Sequence, residues 1–149
     1  MRYYYPYESF REDLKILVKK IEKSYEFDCM IAVSRGGMAI GLMMGEYFDN
    51  RYVFTVNSIG YEDDRKLEDV KVFNIPDLKG FKRVLIVDDI VDSGESMKKV
   101  VSVLKERYPG HIFKSAAIFQ KPNASFKADF FVKKPLGWVD FFWSVDLKK

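Results

Sequence analysis

The sequence predicts an α/β fold, a mainly parallel central sheet flanked by helices, and two observations carry that prediction. Apolar, strand-like runs alternate along the chain with segments of helical period, the pattern of strands joined by crossover helices. Two of those runs, residues 30–33 and 84–87, are apolar throughout, as in strands covered on both faces, and each empties into glycines, hydroxyls or charges.

From residue 8 to 25 the apolar positions Phe10, Leu14, Leu17, Val18 and Ile21 recur at helical spacing, which predicts an amphipathic helix. Residues 30–33 then read as a buried strand, 38–48 as a helix, 52–59 as a second strand and 70–73 as a short one. The charged stretch 60–69, Gly-Tyr-Glu-Asp-Asp-Arg-Lys-Leu-Glu-Asp, has no apolar period and reads as a mobile, solvated loop. A strand at 84–87, a helix at 95–108 and a strand at 112–119 follow. Residues 121–149 carry Phe126, Phe130, Phe131, Trp138, Phe141, Phe142 and Trp143, leave the alternation, and read as a separate lid on the core.

Composition bounds the possibilities. A chain of 149 residues, 48% hydrophobic and 16% aromatic, can bury one good core and reads as a single domain. Its 25 basic and 22 acidic residues are spread along the chain, so the net charge of +3 marks no polybasic tail or nucleic-acid stripe, though it suits a polyanionic substrate. Cys29, the only cysteine, lies in an apolar run and reads as a buried, inert thiol. The N-terminal residues lack the apolar core of a signal peptide and no segment has the length of a membrane span, so a cytoplasmic location is expected. Four tyrosines fall within the first seven residues and read as packing groups.

The chemistry concentrates at residues 83–96, Arg-Val-Leu-Ile-Val-Asp-Asp-Ile-Val-Asp-Ser-Gly-Glu-Ser. Asp-Ser-Gly alone is an ordinary helix start, with a capping hydroxyl and a turn glycine. Asp88, Asp89 and Asp92 beside an apolar strand are less ordinary, because an unpaired charge there is costly and a ligand or metal would explain it. Ser93, Gly94 and Ser96 open the following helix, whose first-turn amides and positive dipole end suit a monophosphate. Ser34-Arg35-Gly36-Gly37 repeats the arrangement after the strand at 30–33, although a glycine turn with a solvated arginine would look the same. Lys121-Pro122 and Trp138-Val139-Asp140, taken alone, read as a surface lysine and core aromatics.

Together these segments resemble the type I phosphoribosyltransferases, most closely the small bacterial 6-oxopurine enzymes of the xanthine-guanine and hypoxanthine-guanine kind. The resemblance is strongest at 84–96, the phosphoribosyl-pyrophosphate motif, and extends to 34–37 and 119–143. It implies that family's fold, with a core at about 8–120 and a hood from about 121–149 plus N-terminal residues. It further implies purine salvage: transfer of the 5-phosphoribosyl group from phosphoribosyl pyrophosphate to N9 of guanine, xanthine or hypoxanthine, with inversion through an oxocarbenium-like transition state. Under that resemblance Asp92, Ser93, Gly94, Glu95 and Ser96 hold the 5-phosphate, with the Glu95 side chain turned outward so that its charge does not repel the phosphate. Asp88 and Asp89 hold the ribose hydroxyls and Mg2+, while Ser34, Arg35, Gly36 and Gly37 take the pyrophosphate across a strained or cis Ser34–Arg35 peptide. Lys121 meets the 6-oxo group, Trp138 stacks on the base, Val139 and Asp140 face position 2, and Asp92 is the general acid/base, so Asp92, Lys121 and Arg35 form the catalytic set. The 60–69 loop corresponds to the loop that closes over pyrophosphate, with Gly60-Tyr61 where a Ser-Tyr pair is common. A homodimer or homotetramer is implied, with no nucleic acid or integral membrane association. A fold-sharing regulator that binds nucleotide and nucleic acid is the alternative, disfavoured because 149 residues of scattered charge leave little room for a second binding face. A nucleoside hydrolase or phosphorylase would not need the phosphate loop.

Overall fold

The computed structural model describes residues 1–62 and 65–148. In chain order the elements are β1 (Arg2–Tyr5), α1 (Tyr7–Glu22), β2 (Cys29–Ser34), α2 (Met38–Tyr47), β3 (Val53–Glu62), β4 (Arg65–Phe73), β5 (Arg83–Val91), α3 (Glu95–Arg107), β6 (Ile112–Gln120), β7 (Phe130–Lys133), β8 (Trp138–Phe141) and α4 (Phe142–Val145), closed by a 3-10 turn at Asp146–Lys148. A six-stranded sheet runs β4-β3-β2-β5-β6-β7. Its neighbours are parallel except β3 and β4.

The apolar strands at the centre divide their side chains between two cores. Met30 and Ala32 of β2 and Leu85 and Val87 of β5 face the side that carries α1 and α2. Cys29, Ile31, Val33, Val84 and Ile86 face the side that carries α3. Both faces being covered is why these runs show no polar alternation. Each fully buried Val, Leu or Ile contributes about 1.5–3 kcal/mol over an exposed one, so these two strands anchor the domain. On α1 the predicted stripe Phe10, Leu14, Leu17, Val18 and Ile21 is buried, and Pro6 opens the helix with its carbonyl accepting from the Phe10 amide at 3.0 Å.

The order of strands fixes where a ligand can sit. From β2 the chain winds outward through α2 to β3 and β4; from β5 it winds the other way through α3 to β6 and β7. The reversal lies between β2 and β5, the crevice in which open α/β sheets place ligands. Pairing of β2 with β5 stops at Ala32 and Val87, while β5 continues along β6 to Val91. The two strands therefore separate just where the acids and the Arg35 loop begin.

Three sequence expectations need correction. Residues 60–62 and 65–69 are strand rather than loop: β3 and β4 pair antiparallel, with Tyr61 paired to Lys66 and Glu62 to Arg65, past an irregularity near Gly60. Strand pairing there is held by backbone bonds, which charged side chains do not forbid. Residues 63–64 and the side chain of Tyr61 lie outside the described residues. Residues 121–149 are not wholly a separate lid, because β7 pairs in parallel with β6 and extends the main sheet. The strand read at 84–87 is longer, Arg83–Val91, and takes in Asp88 and Asp89 toward its carboxyl end, since pairing with β6 carries it through them.

The remaining hood is a two-stranded parallel sheet of β1 and β8, which joins the N-terminal tyrosines to the Trp138 segment. Tyr5 is its buried anchor. Its ring meets Phe119 and Phe141 edge-on at 5.0 and 5.7 Å, and its hydroxyl donates to the buried Asp13 of α1. Lys133 of β7 closes the same cluster at 2.9 Å from Asp13. Cys29 is fully buried, and burial pushes its thiol up to about 12, so it is inert as the sequence predicts.

Candidate active site

At the carboxyl edge of β5, Asp88 and Asp89 stand side by side and partly buried. Their carboxylates accept from the backbone ahead, Asp88 Oδ1 from the Asp89 amide at 2.8 Å and Asp89 Oδ1 from the Ile90 amide at 2.7 Å. Burial raises the pKa of both, well above the ordinary carboxylate range for Asp88, to which the neighbouring Asp89 charge adds. Two acids so placed call for a cation or for hydroxyl donors.

Facing them is the turn after β2. The Ser34–Arg35 peptide is cis, the Gly37 amide donates to Val33 O at 2.8 Å, and Arg35 is exposed. Gly36 is required by proximity: a Cβ there would overlap the Asp89 carboxylate. The turn and the acid are thus in van der Waals contact. Ser34, Arg35, Gly36 and Asp89 line one cavity of about 950 Å3 together with β3 residues 57–60 and the C-terminal residues Trp143, Ser144, Leu147 and Lys148.

The loop from Asp92 to Ser96 turns on Gly94, whose φ of 90° is left-handed and whose missing Cβ leaves room for the Phe126 amide, 2.6 Å from where that Cβ would be. Among the described residues the side-chain contact to the start of α3 is a 3.3 Å bond from the Glu95 amide to Ser93 Oγ, and Gly94 itself offers no cap. The first-turn amides are therefore directed at the loop. Glu95 pairs its carboxylate with Lys66 of β4 at 3.3 Å, and a second pair, Lys99 to Asp69, ties the same strand to α3 at 3.3 Å. Ser96 Oγ lies under β3, 3.9 Å from the Cβ position of Gly60.

Lys121 reaches this loop from β6. Its amide donates to Val91 O at 3.0 Å and its ammonium pairs with Asp92 Oδ1 at 2.5 Å. Asp92, Ser93, Glu95 and Lys121 share a second cavity of about 380 Å3 with Asn123 and Ser125. Sequence reasoning missed what holds Lys121: the buried Gln120 side chain donates to Phe126 O at 2.9 Å and Lys121 O at 3.2 Å and accepts from the Ala128 amide at 3.0 Å. Ser125 adds a bond from its amide to Ser93 O at 2.7 Å, which joins the lysine loop to the loop from Asp92 to Ser96. A glutamine ending an apolar run is the only signal the sequence gives.

The structure brings the Gly36 position of the Arg35 turn against Asp89 and Lys121 to Asp92, but Trp138 lines neither cavity and is 63% exposed. Val139 is buried beneath it in the β1–β8 sheet. Asp140 is held by Arg2 in a two-pronged pair of 2.7 and 2.8 Å, which lowers its pKa, and the Arg2 guanidinium lies 5.8 Å from the Trp138 ring.

A profile of the phosphoribosyl transferase domain matches residues 8–149. The chain belongs to the phosphoribosyltransferase family. A solved structure from Helicobacter pylori, described as a xanthine-guanine-hypoxanthine phosphoribosyltransferase, superposes with a TM-score of 0.92 at 41% identity, covering 99% of this chain and 97% of that one. A purine phosphoribosyltransferase structure from Pyrococcus horikoshii gives a TM-score of 0.79 at 25% identity, over 95% of this chain and 93% of that one. A curated relative from Roseobacter denitrificans, named xanthine-guanine phosphoribosyltransferase, is 30% identical over 130 residues, 80% of this chain and 69% of that protein. Phosphoribosyltransferase architecture thus accounts for the mainly parallel sheet, and the two motif turns fall at its β2–β5 crevice.

Proposed function

We propose that this phosphoribosyltransferase acts in purine salvage. It transfers the 5-phosphoribosyl group of phosphoribosyl pyrophosphate to N9 of a 6-oxopurine (guanine, xanthine or hypoxanthine) and releases pyrophosphate. One observation carries the reading: the Lys121 ammonium and Asp92 carboxylate meet at 2.5 Å beside the phosphate loop. A 6-oxopurine presents an acceptor oxygen at position 6 beside a proton site at N7, the complement of that pair. The names of the relatives at 30–41% identity point the same way.

The 5-phosphate sits on the amides of the loop from Asp92 to Ser96 and on the hydroxyls of Ser93 and Ser96, with the Glu95 charge answered by Lys66. Asp88 and Asp89 accept from the ribose hydroxyls. Among the described residues no group of three or more metal-ligating side chains occurs, yet two hard carboxylates fit Mg2+, which takes its other ligands from water and substrate oxygens. Mg2+ held by Asp89 and Asp88 would supply charge neutralisation to the departing pyrophosphate. Ser34, Arg35, Gly36 and Gly37 receive that pyrophosphate through the arginine fork and close backbone approach.

The purine parts the Lys121–Asp92 pair and engages both of its members. Lys121 donates to the 6-oxo group, Asp92 holds or moves the N7 proton, and the shared pair means that neither charge has to be newly assembled when the base arrives. Trp138 stacks on the base, and the backbone of Val139 and Asp140 faces position 2, the Asp140 carboxylate being committed to Arg2. The hairpin of β3 and β4 shields the reacting centre from water. The protein works in the cytoplasm as a homodimer or homotetramer; exposed Met38 and Leu42, one turn apart on α2, suit such an interface. No described helix is long and apolar enough to cross a membrane.

The test is incubation of the protein with Mg2+, phosphoribosyl pyrophosphate and each purine base separately. Nucleotide and pyrophosphate should form with at least one 6-oxopurine and not with adenine. No product with any base would refute the proposal.

A further inference from the structure

We propose that the C-terminal turn is a built wall of the pyrophosphate half of the site, and that Lys148 binds a pyrophosphate oxygen across the cavity from Arg35. This rests on the reading of the Arg35 turn as the pyrophosphate site. The 950 Å3 cavity beside that turn has two cations in its lining, Arg35 and Lys148, against one anion, Asp89. Even with one Mg2+ bound, pyrophosphate keeps about two negative charges, more than Arg35 alone can answer. The neighbouring lysines are already committed, Lys121 to Asp92, Lys66 to Glu95 and Lys99 to Asp69, whereas Lys148 has no carboxylate partner among the described residues.

The turn is fastened rather than loose. The Trp143 ring stacks on Phe141 at 4.8 Å with 8° between planes and meets Phe10 edge-on at 5.1 Å. The Tyr4 hydroxyl donates to the Asp146 carboxylate, 2.9 Å from one oxygen and 3.1 Å from the other, which ties the turn to β1 two residues before Lys148. That bond gives one of the N-terminal tyrosines a role: it holds the wall that carries the second cation. Leu147, next to Lys148, is 99% exposed and lines the same cavity.

Calorimetric titration of magnesium pyrophosphate into the intact protein tests the proposal. Lys148→Ala should raise Kd about 5–10-fold, the loss of one exposed charge-assisted bond, and Lys148→Arg should stay within about 2-fold of wild type. Tyr4→Phe should weaken binding in the same direction, and the KM for phosphoribosyl pyrophosphate should rise with Lys148→Ala while the purine KM holds. Lys148 is exposed at the edge of the fold, so its variants keep the core. Unchanged affinity in Lys148→Ala would overturn the proposal, whereas wild-type protein that does not bind magnesium pyrophosphate would overturn the underlying site reading instead.

Discussion

Gln120→Met removes three hydrogen bonds from the interior while nearly keeping the side-chain volume, and its consequences can be worked from the geometry. Gln120 is 6% exposed, and the groups it serves are Phe126 O, Lys121 O and the buried Ala128 amide. Methionine fills the space but offers no strong donor or acceptor. Lys121 lies near solvent and can recruit water, so the loss falls on Phe126 O and the Ala128 amide. Leaving a buried polar group unpaired costs about 1–3 kcal/mol, and with the Ala128 amide buried but Phe126 only partly so, the variant should lose about 2–4 kcal/mol of stability. With a urea slope of about 2 kcal/mol per M, the unfolding midpoint should fall by about 1–2 M. The same loop carries Lys121, so the purine KM should rise about 5–10-fold, the equivalent of roughly 1–1.4 kcal/mol. A midpoint shift below about 0.3 M, with an unchanged purine KM, would refute the view that Gln120 organises this half of the site.

Asp92→Asn keeps the shape of the loop but removes the proposed proton acceptor; turnover should fall about 100-fold or more in steady-state assays, with donor binding little changed. Equal losses in both would indicate a structural role. Asp88→Asn should stabilise the ligand-free protein at neutral pH while impairing magnesium-dependent donor binding. Because burial raises the folded pKa of Asp88, its stabilising contribution is present below the ordinary carboxylate pKa and lost as pH rises through the raised one. Thermal melts of the two proteins should therefore converge in acid and separate toward neutral pH, and parallel curves would contradict this. Gly36→Ala drives a methyl group into the Asp89 carboxylate and should weaken binding of the magnesium-bound donor by about 10-fold or more, measured by calorimetry. An unaffected Gly36→Ala would show that the Arg35 turn and the acid pair do not act as one site.

What was legible in the sequence was whatever a local pattern encodes. The strands β2 and β5 announce themselves because burial on both faces forces apolar runs, and the turns after them because close approach and a left-handed φ demand Gly36 and Gly94. The hairpin beyond Ile59 was not legible: Lys66, Glu68 and Asp69 carry no apolar alternation, and that stretch is a strand because β3 offers it a partner. Strand β7 was hidden for a similar reason, being four residues long and flanked by charges, with its place fixed only by β6. The partnership of Arg2 with Asp140 spans nearly the whole chain, and no spacing rule reaches so far. The position of Trp143 in the Arg35 cavity likewise follows from the packing of α4 on Phe10, which the aromatic count alone could not show.

The central claim is that one crevice holds both a sugar donor and a 6-oxopurine and joins them. Phosphorus NMR of the protein with Mg2+, phosphoribosyl pyrophosphate and guanine, xanthine or hypoxanthine tests it most directly, because donor, pyrophosphate, ribose 5-phosphate and nucleotide give separate signals. The account predicts equal growth of pyrophosphate and nucleoside 5'-monophosphate that requires the base. Accumulation of ribose 5-phosphate without nucleotide, or no change in the donor signal with any of the three bases, would contradict it.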